Sequence, residues 1–452
     1  MQKNEVFEAA TVVDLTHDGL GVVRVDGFPI FVENALPGET LHFRVTKVGK
    51  NFGFGRVEKF LTQSDARVTT SDAALLRTGI ADLVHLSVDA QLVFKQRQVA
   101  VALSKNAGLR DFPVLETLGA HEKLAYRNKA QIPVRMVAGQ LETGFFRKNS
   151  HDLIPMTDFM IQAPEIDAVL EFLRAQLRLS GLTAYDERTG RGLVRHLVIR
   201  RGHHSGEIMV VFVLSADKLP REIVSALTNA FPAVKSVQIN VNKARGNTIF
   251  GPIFRTVFGA DFITDTLLGK TFQISAPAFY QVNTAQAEKL YKLAYKFAEL
   301  KPSDIIIDAY SGIGTIGICA ADKVSAVYGM EVIPEAVENA RANAQLNVMD
   351  KCHYEVGKAE VILPRLLSDG IAPDVIFVDP PRKGLDENFI VAAAKMGARS
   401  VIYISCNPAT FARDVKRFDE HGYRLITAQP VDLFPQTHHV EVVGKLVRKQ
   451  KK

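Results

Sequence analysis

From about residue 276 to the C-terminus, strand-like and helical segments alternate, and no other feature limits the fold of this chain so strongly. The strand candidates are Ile305–Ala309, Ala326–Glu331, Val375–Val378 and Val401–Ser405, with helical stretches such as Pro334–Leu346 between them. Alternation of this kind predicts an α/β domain of the doubly wound, Rossmann-like type: a parallel sheet, helices on both faces, and ligands at the carboxyl ends of the strands.

One such end carries Asp308-Ala-Tyr310-Ser-Gly312-Ile-Gly314-Thr-Ile-Gly317, which follows a strand and opens a helix. Without Cβ atoms, glycines let the backbone approach a nucleotide closely. Read literally, the spacing is the dinucleotide fingerprint, so a nicotinamide dehydrogenase is the first rival. Asp308 and Tyr310 directly before the glycines favour S-adenosylmethionine instead. Glu331 ends the next strand, where a carboxylate can accept from both ribose hydroxyls of either cofactor.

Two further strand ends carry reactive groups. Asp379-Pro-Pro-Arg-Lys-Gly384 follows the strand VIFV, and its prolines make a rigid loop with free carbonyls. Enzymes that methylate amino nitrogens often have an aromatic residue where Arg382 stands, which weakens that second rival. The strand VIYIS ends in Ser405-Cys406-Asn407-Pro408, so Cys406 leaves the sheet in a polar loop at the cofactor edge. A small buried cysteine is the commoner fate, but Asp432-Leu-Phe-Pro-Gln-Thr-His438-His439-Val-Glu441 downstream supplies a carboxyl among valines. Such a carboxyl has a raised pKa and can act as a base. One cysteine, one base and one methyl donor together suit carbon-5 methylation of uracil. That carbon becomes nucleophilic only after a thiolate adds at carbon 6, and a base must later remove its proton.

Upstream, residues 1–60 read as a small all-β barrel, with glycine and proline turns between runs such as Val22–Val25 and Phe28–Val32. Residues 61–275 read as a central α+β region. VRHLVIRRG and GEIMVVFVL form a hairpin, and PEIDAVLEFLRAQLRLSG forms an amphipathic helix closed by Gly181. A helix at about 90–110 is expected to pack with the catalytic region, residues 276–452. The 452 residues suit two or three such units.

Net charge is +6, and the cations cluster in Arg44–Lys59, in Arg188, Arg191, Arg195, Arg200 and Arg201, and in Arg448, Lys449, Lys451 and Lys452. Each cluster alone is a solvated face, but three of them raise the prospect of an RNA partner. Three cysteines, Cys319, Cys352 and Cys406, have no metal-ligand spacing, so sulfur chemistry must rest on one thiol. With no apolar run near bilayer length and no secretion signal, a cytoplasmic protein without membrane attachment is expected.

DPPRKG, SCNP and FPQTHHVE, with Ser275-Ala-Pro-Ala-Phe-Tyr-Gln281-Val-Asn283 upstream, resemble the bacterial RNA (uracil-5-)-methyltransferases over nearly the whole chain. Tyr126-Arg-Asn-Lys129 and Gly144-Phe-Phe-Arg-Lys148 belong to the same likeness. The resemblance implies a TRAM-like, RNA-binding barrel over 1–60 and an RNA-binding central region over 61–275. It implies Cys406 as nucleophile, Glu441 as proton acceptor, and donor contacts from Gln281, Tyr310, Gly312, Glu331 and Asp379. Many relatives hold a four-cysteine iron–sulfur cluster. Here the matching stretch, SDAALLRTGIADLVHL (Ser71–Leu86), has no cysteine, and Phe159 takes the fourth position. Neither a cluster nor another metal is expected, and apolar packing should replace it. The barrel is more typical of the ribosomal RNA branch than of the transfer RNA branch, so 23S rRNA is the expected substrate, with no obligatory protein partner. A non-catalytic RNA-binding or assembly factor is the reading from another class. Intact Cys406 and Glu441 argue against it.

Overall fold

A computed structural model describes residues 1–70, 73–246 and 248–450. Ser71, Asp72, Lys451 and Lys452, named above, lie outside the described residues.

Alternating side chains close the first strands on themselves. The strands β1 (Val6–Leu15), β2 (Gly21–Val25), β3 (Phe28–Glu33), β4 (Thr40–Val48) and β5 (Gly53–Thr62) form a closed barrel in the order β1-β2-β3-β5-β4. Val23, Ile30, Val32, Leu41, Phe43 and Val45 fill it. The barrel expected from the turn rhythm is therefore present.

The middle of the chain builds a seven-stranded sheet from β6 (Lys129–Val137), β7 (Gln140–Phe146), β8 (Leu153–Pro155), β9 (Val194–Arg201), β10 (Ile208–Leu214), β11 (Val234–Val241) and β12 (Ile253–Gly259). Its order is β12-β11-β10-β9-β6-β7-β8. β9 and β10 pair antiparallel, as the sequence RGHHSG between them suggests. The helix Pro164–Leu179 ends where Gly181 takes a left-handed φ of 64°. Phe159 is fully buried and meets the Phe145 ring at 5.5 Å, in one core with Leu75, Ala81 and Val84.

A hairpin, β13 (Phe262–Leu267) and β14 (Lys270–Ser275), leads into the last sheet. Its strands are β15 (Ile305–Ala309), β16 (Ala326–Glu331), β17 (Cys352–Val356), β18 (Val375–Val378), β19 (Ser400–Ser405), β20 (Tyr423–Val431) and β21 (Glu441–Arg448). The order is β17-β16-β15-β18-β19-β21-β20. Successive residues face opposite layers: Ile306, Val375 and Phe377 join one core, Ile307, Ile376 and Val378 the other. Both faces are covered, which is why these strands are apolar throughout rather than alternating.

The all-parallel sheet expected from the sequence needs one correction. β21 runs antiparallel between β19 and β20, with Ser405 opposite Val442. Because β21 is reversed, its first residue rather than its last lies at the ligand-bearing edge.

The helix at 90–110 occupies Val88–Ala102 and continues as a single wider turn, Leu103–Ala107, ended by Gly108 at φ 74°. Val99 and Leu103 pack into the core beneath the helix Pro408–Glu420. The arginine cluster of β9 also needs correction. Arg195 lies buried over the Tyr185 ring at 4.4 Å, and Arg200 is buried with Nη2 donating to the Ala278 carbonyl at 2.6 Å. Only Arg188 and Arg191 of that cluster are exposed.

Candidate active site

The glycine loop bends where the sequence permits it. Tyr310, Gly312 and Gly314 all take positive φ, at 63°, 53° and 85°. The glycines serve different ends. A Cβ on Gly317 would lie 3.0 Å from Asp308 Oδ2, and one on Gly314 would lie 2.8 Å from the Tyr354 hydroxyl. At Gly312 a Cβ would meet nothing, so its backbone borders open space. Asp308, fully buried, accepts from the Gly317 N–H at 2.8 Å and shapes the loop from beneath. Burial pushes its pKa up to about 7.

Glu331 ends β16 beside that loop. Its Oε2 accepts from the Gly312 N–H at 3.2 Å, and its Oε1 from Val332 N at 2.7 Å. Val332 and Ile333, which follow it, are apolar and more than half exposed. Asp308 Oδ1 and the Ser311 hydroxyl are buried without a hydrogen-bond partner. An open cradle, a carboxylate at the strand end, bare aliphatic surface and unpaired polar atoms fit an adenosine-bearing ligand. Tyr310 packs against Phe389, with ring centroids 5.6 Å apart. Gln281 is buried in the segment that leads to Asn283, the N-cap of the helix Thr284–Ala298. Burial pushes the nearby Tyr291 phenol up; Asp379 adds to this, and Gln281 opposes it.

Asp379 follows β18, Cys406 follows β19 and Glu441 opens β21, all at one edge of the sheet. Register sets Cys406 next to Glu441, because Ser405 pairs with Val442. Cys406 and Glu441 both feel the Asp379 carboxyl. Burial pushes the Cys406 thiol up to about 11, and the carboxyls of Glu441 and Asp379 add to this. Burial likewise raises Glu441 well above the usual carboxyl range, with Asp379 contributing. Asp379 itself is pushed up to about 7 by burial alone. Arg382 opposes these shifts in Cys406 and Glu441, and its guanidinium reaches His439 at 3.3 Å. Its carbonyl accepts from Asn407 Nδ2 at 3.1 Å, tying the proline loop to the cysteine loop.

A thiol raised this far reacts faster as pH rises. Alkylation of Cys406 by iodoacetamide should climb about tenfold per pH unit from pH 7 to 10. The Glu441→Gln variant should shift that curve to lower pH. Mass mapping would follow Cys406 apart from Cys352, pushed up to about 12, and from the buried Cys319.

The loop carrying Glu441 is clamped by residues that no sequence motif marks. One face of the helix Val88–Ala102 presents Gln91, Lys95 and Gln98 to it. Lys95 is wholly buried and donates to Asp432 at 2.5 Å and to the Phe434 carbonyl at 3.0 Å. Gln91 exchanges bonds with Gln436, and Gln98 donates to the His438 carbonyl at 2.9 Å. His438 pairs with Asp82, and its other nitrogen lies 3.8 Å from Asp18 of the barrel. Lys95→Met strands a buried carboxylate and should cost roughly 3–5 kcal/mol, read as a lower urea midpoint. Adding Asp432→Leu should recover most of that loss.

Beside this loop opens a cavity of about 420 Å³, lined among others by Arg127, Lys129, Gln162, Phe279, Thr437 and His439. Among the described residues no acid lines it, and Phe279 is 68% exposed. Burial, then Arg200 and Arg127, push the Lys129 ammonium down to about 7. A pocket with two basic side chains and an aromatic face suits a polyanion that carries flat rings.

Comparison with known proteins shows the family to which the chain belongs. The family described as tRNA (Uracil-5-)-methyltransferase matches residues 122–450, and the TRAM domain matches residues 5–57. An uncharacterized RNA methyltransferase of Lactococcus lactis is 60% identical over 451 residues, covering 99% of this chain and 98% of that protein. One from Streptococcus mutans is 53% identical over 99% of this chain and 100% of its own. Among solved structures, the Pyrococcus abyssi tRNA (uracil-54, C5)-methyltransferase in complex with S-adenosyl-L-homocysteine is similar. It is 29% identical, with a TM-score of 0.79, over 97% of this chain and 100% of that one.

Proposed function

Because the chain belongs to the RNA (uracil-5-)-methyltransferase family, we propose that it methylates carbon 5 of a uridine in 23S rRNA, using S-adenosylmethionine. The observation that carries the reading is the meeting of Cys406, Glu441 and Asp379 at one sheet edge, next to an open glycine cradle. Gln281, Tyr310, Gly312, Glu331 and Asp379 would hold the donor, which supplies a methyl group on a sulfonium.

The remaining steps belong to the protein's own groups. The Cys406 thiolate forms a bond to carbon 6 of uracil, and the ring's π pair moves toward carbon 5, which takes the methyl group. Glu441 accepts the carbon-5 proton. The carbon–sulfur bond then breaks, its electron pair returns to sulfur, and the carbon 5–carbon 6 double bond is restored. The target base must leave its stack to reach Cys406. The acid-free cavity at Arg127 and Lys129 offers room for the extruded strand. In this reading the barrel (1–60) and the central region (61–275) hold RNA, while residues 276–452 do the chemistry in the cytoplasm. Among the described residues, no helix is long and apolar enough to cross a membrane.

The choice of ribosomal RNA rests on the barrel. A second reading, transfer RNA, is favoured by the Pyrococcus abyssi relative, named for tRNA and matched too extensively to leave the barrel out. Mapping 5-methyluridine in both RNAs, with and without this protein, separates the two. Loss confined to 23S rRNA supports the proposal, loss confined to tRNA replaces it, and no loss in either rejects both.

A further inference from the structure

A barrel strand that faces its own core on one side should show polar groups on the other. On β3 and β5 that rule breaks at one outward position each. Ile30 and Val32 point inward, and Phe31 between them points out. Gly53 and Gly55 line the interior, and a Cβ on Gly55 would lie 2.8 Å from the Phe43 ring; Phe54 between them points out. Phe31 and Phe54 are register partners on neighbouring strands. Phe52, in the turn before β5, completes a trio with ring centroids 5.3, 5.6 and 5.9 Å apart. Phe52 is 42% exposed, and none of the three belongs to the barrel core.

The surroundings of this patch are cationic. Lys47 lies opposite Phe54 on β4, Lys50 is in the same turn as Phe52, and Arg56 is two residues beyond Phe54. Among the described residues, none of these three side chains makes a hydrogen bond or ion pair. Arg44, one strand over, is instead paired to Glu58 at 2.5 Å. Glu33, opposite Arg56, is the one acid on the adjoining row of β3. Contiguous apolar surface on an otherwise solvated face marks a binding site, and aromatic rings ringed by free cations match stacked bases strung on phosphates.

We propose that Phe31, Phe52 and Phe54 form a base-stacking platform for single-stranded RNA, with Lys47, Lys50 and Arg56 taking its phosphates. The proposal rests on RNA being the substrate, and it adds a second contact on the barrel, separate from the catalytic pocket.

The test measures binding of the full chain to a short fluorescein-labelled oligoadenylate by anisotropy. That probe has no uridine, so Cys406 chemistry does not enter. Phe52→Ala should weaken binding about tenfold, while Phe52→Trp should match the parent. A duplex probe of the same length should bind parent and Phe52→Ala equally, because its bases are already stacked. Unchanged oligoadenylate affinity in Phe52→Ala, or an equal loss on duplex, overturns the platform. A parallel methylation assay keeps the two readings apart. If the parent methylates RNA while Phe52→Ala binds normally, the platform alone fails. If the parent methylates nothing while Phe52→Ala loses affinity, the platform stands and the catalytic reading fails.

Discussion

Replacing Cys406 with Ala removes methyl transfer, a loss on the order of 10⁵-fold or more, as when a covalent nucleophile is deleted. Donor binding survives, because the cradle at Gly312 and the carboxylate of Glu331 belong to other strands. The measurement is transfer of labelled methyl to unmodified RNA, beside calorimetric binding of S-adenosylmethionine. Turnover near the parent rate would reject the thiol's role outright. Cys406→Ser makes a sharper control: it keeps the volume and a proton donor, yet offers a far weaker nucleophile, and should be equally silent.

Glu441→Gln should fail later in the cycle. Thiolate addition and methyl transfer need no base at carbon 5, so they proceed and the protein stays bonded to carbon 6. A covalent RNA–protein species should build up on denaturing gels, with turnover falling by roughly 10²–10⁴-fold. The raised pKa of Glu441 makes it the stronger base once ionised, and burial is the chief cause. In the parent, elimination should therefore quicken as pH rises through the carboxyl's titration, and the Gln variant should lose that dependence. A variant that neither accumulates adduct nor slows would remove Glu441 from the mechanism.

Much of this site is legible in the sequence because its parts are short and local. Asp308 to Gly317 and the strand before it specify a turn by steric rules alone, and Cys406 sits one residue past a run that can only be a buried strand. What joins them is not local. Nothing in the sequence says that β21 reverses, although that reversal brings Glu441 to Cys406. β17 escapes notice because CHYEV is short and half polar. Lys95 is harder still: it stands on a helix whose apolar periodicity is weak, and its partner Asp432 lies 337 positions away. A lysine reads as surface until its counter-ion is seen. The arginines of β9 mislead for the same reason, since Arg195 and Arg200 are buried and donate to carbonyls inside the protein.

The tie between His438, Asp82 and Asp18 has a consequence for dissection of the molecule. The turn that holds Asp18 also presses Gly19 against Leu83, leaving no room for a side chain there. A truncated chain beginning after the barrel would lose packing as well as the barrel itself. Leu83 would meet water, and the histidine preceding the catalytic loop's last turn would lose one of its two acidic neighbours. The barrel is thus a buttress for the segment that leads to Glu441, and it cannot be exchanged for another without re-seating His438.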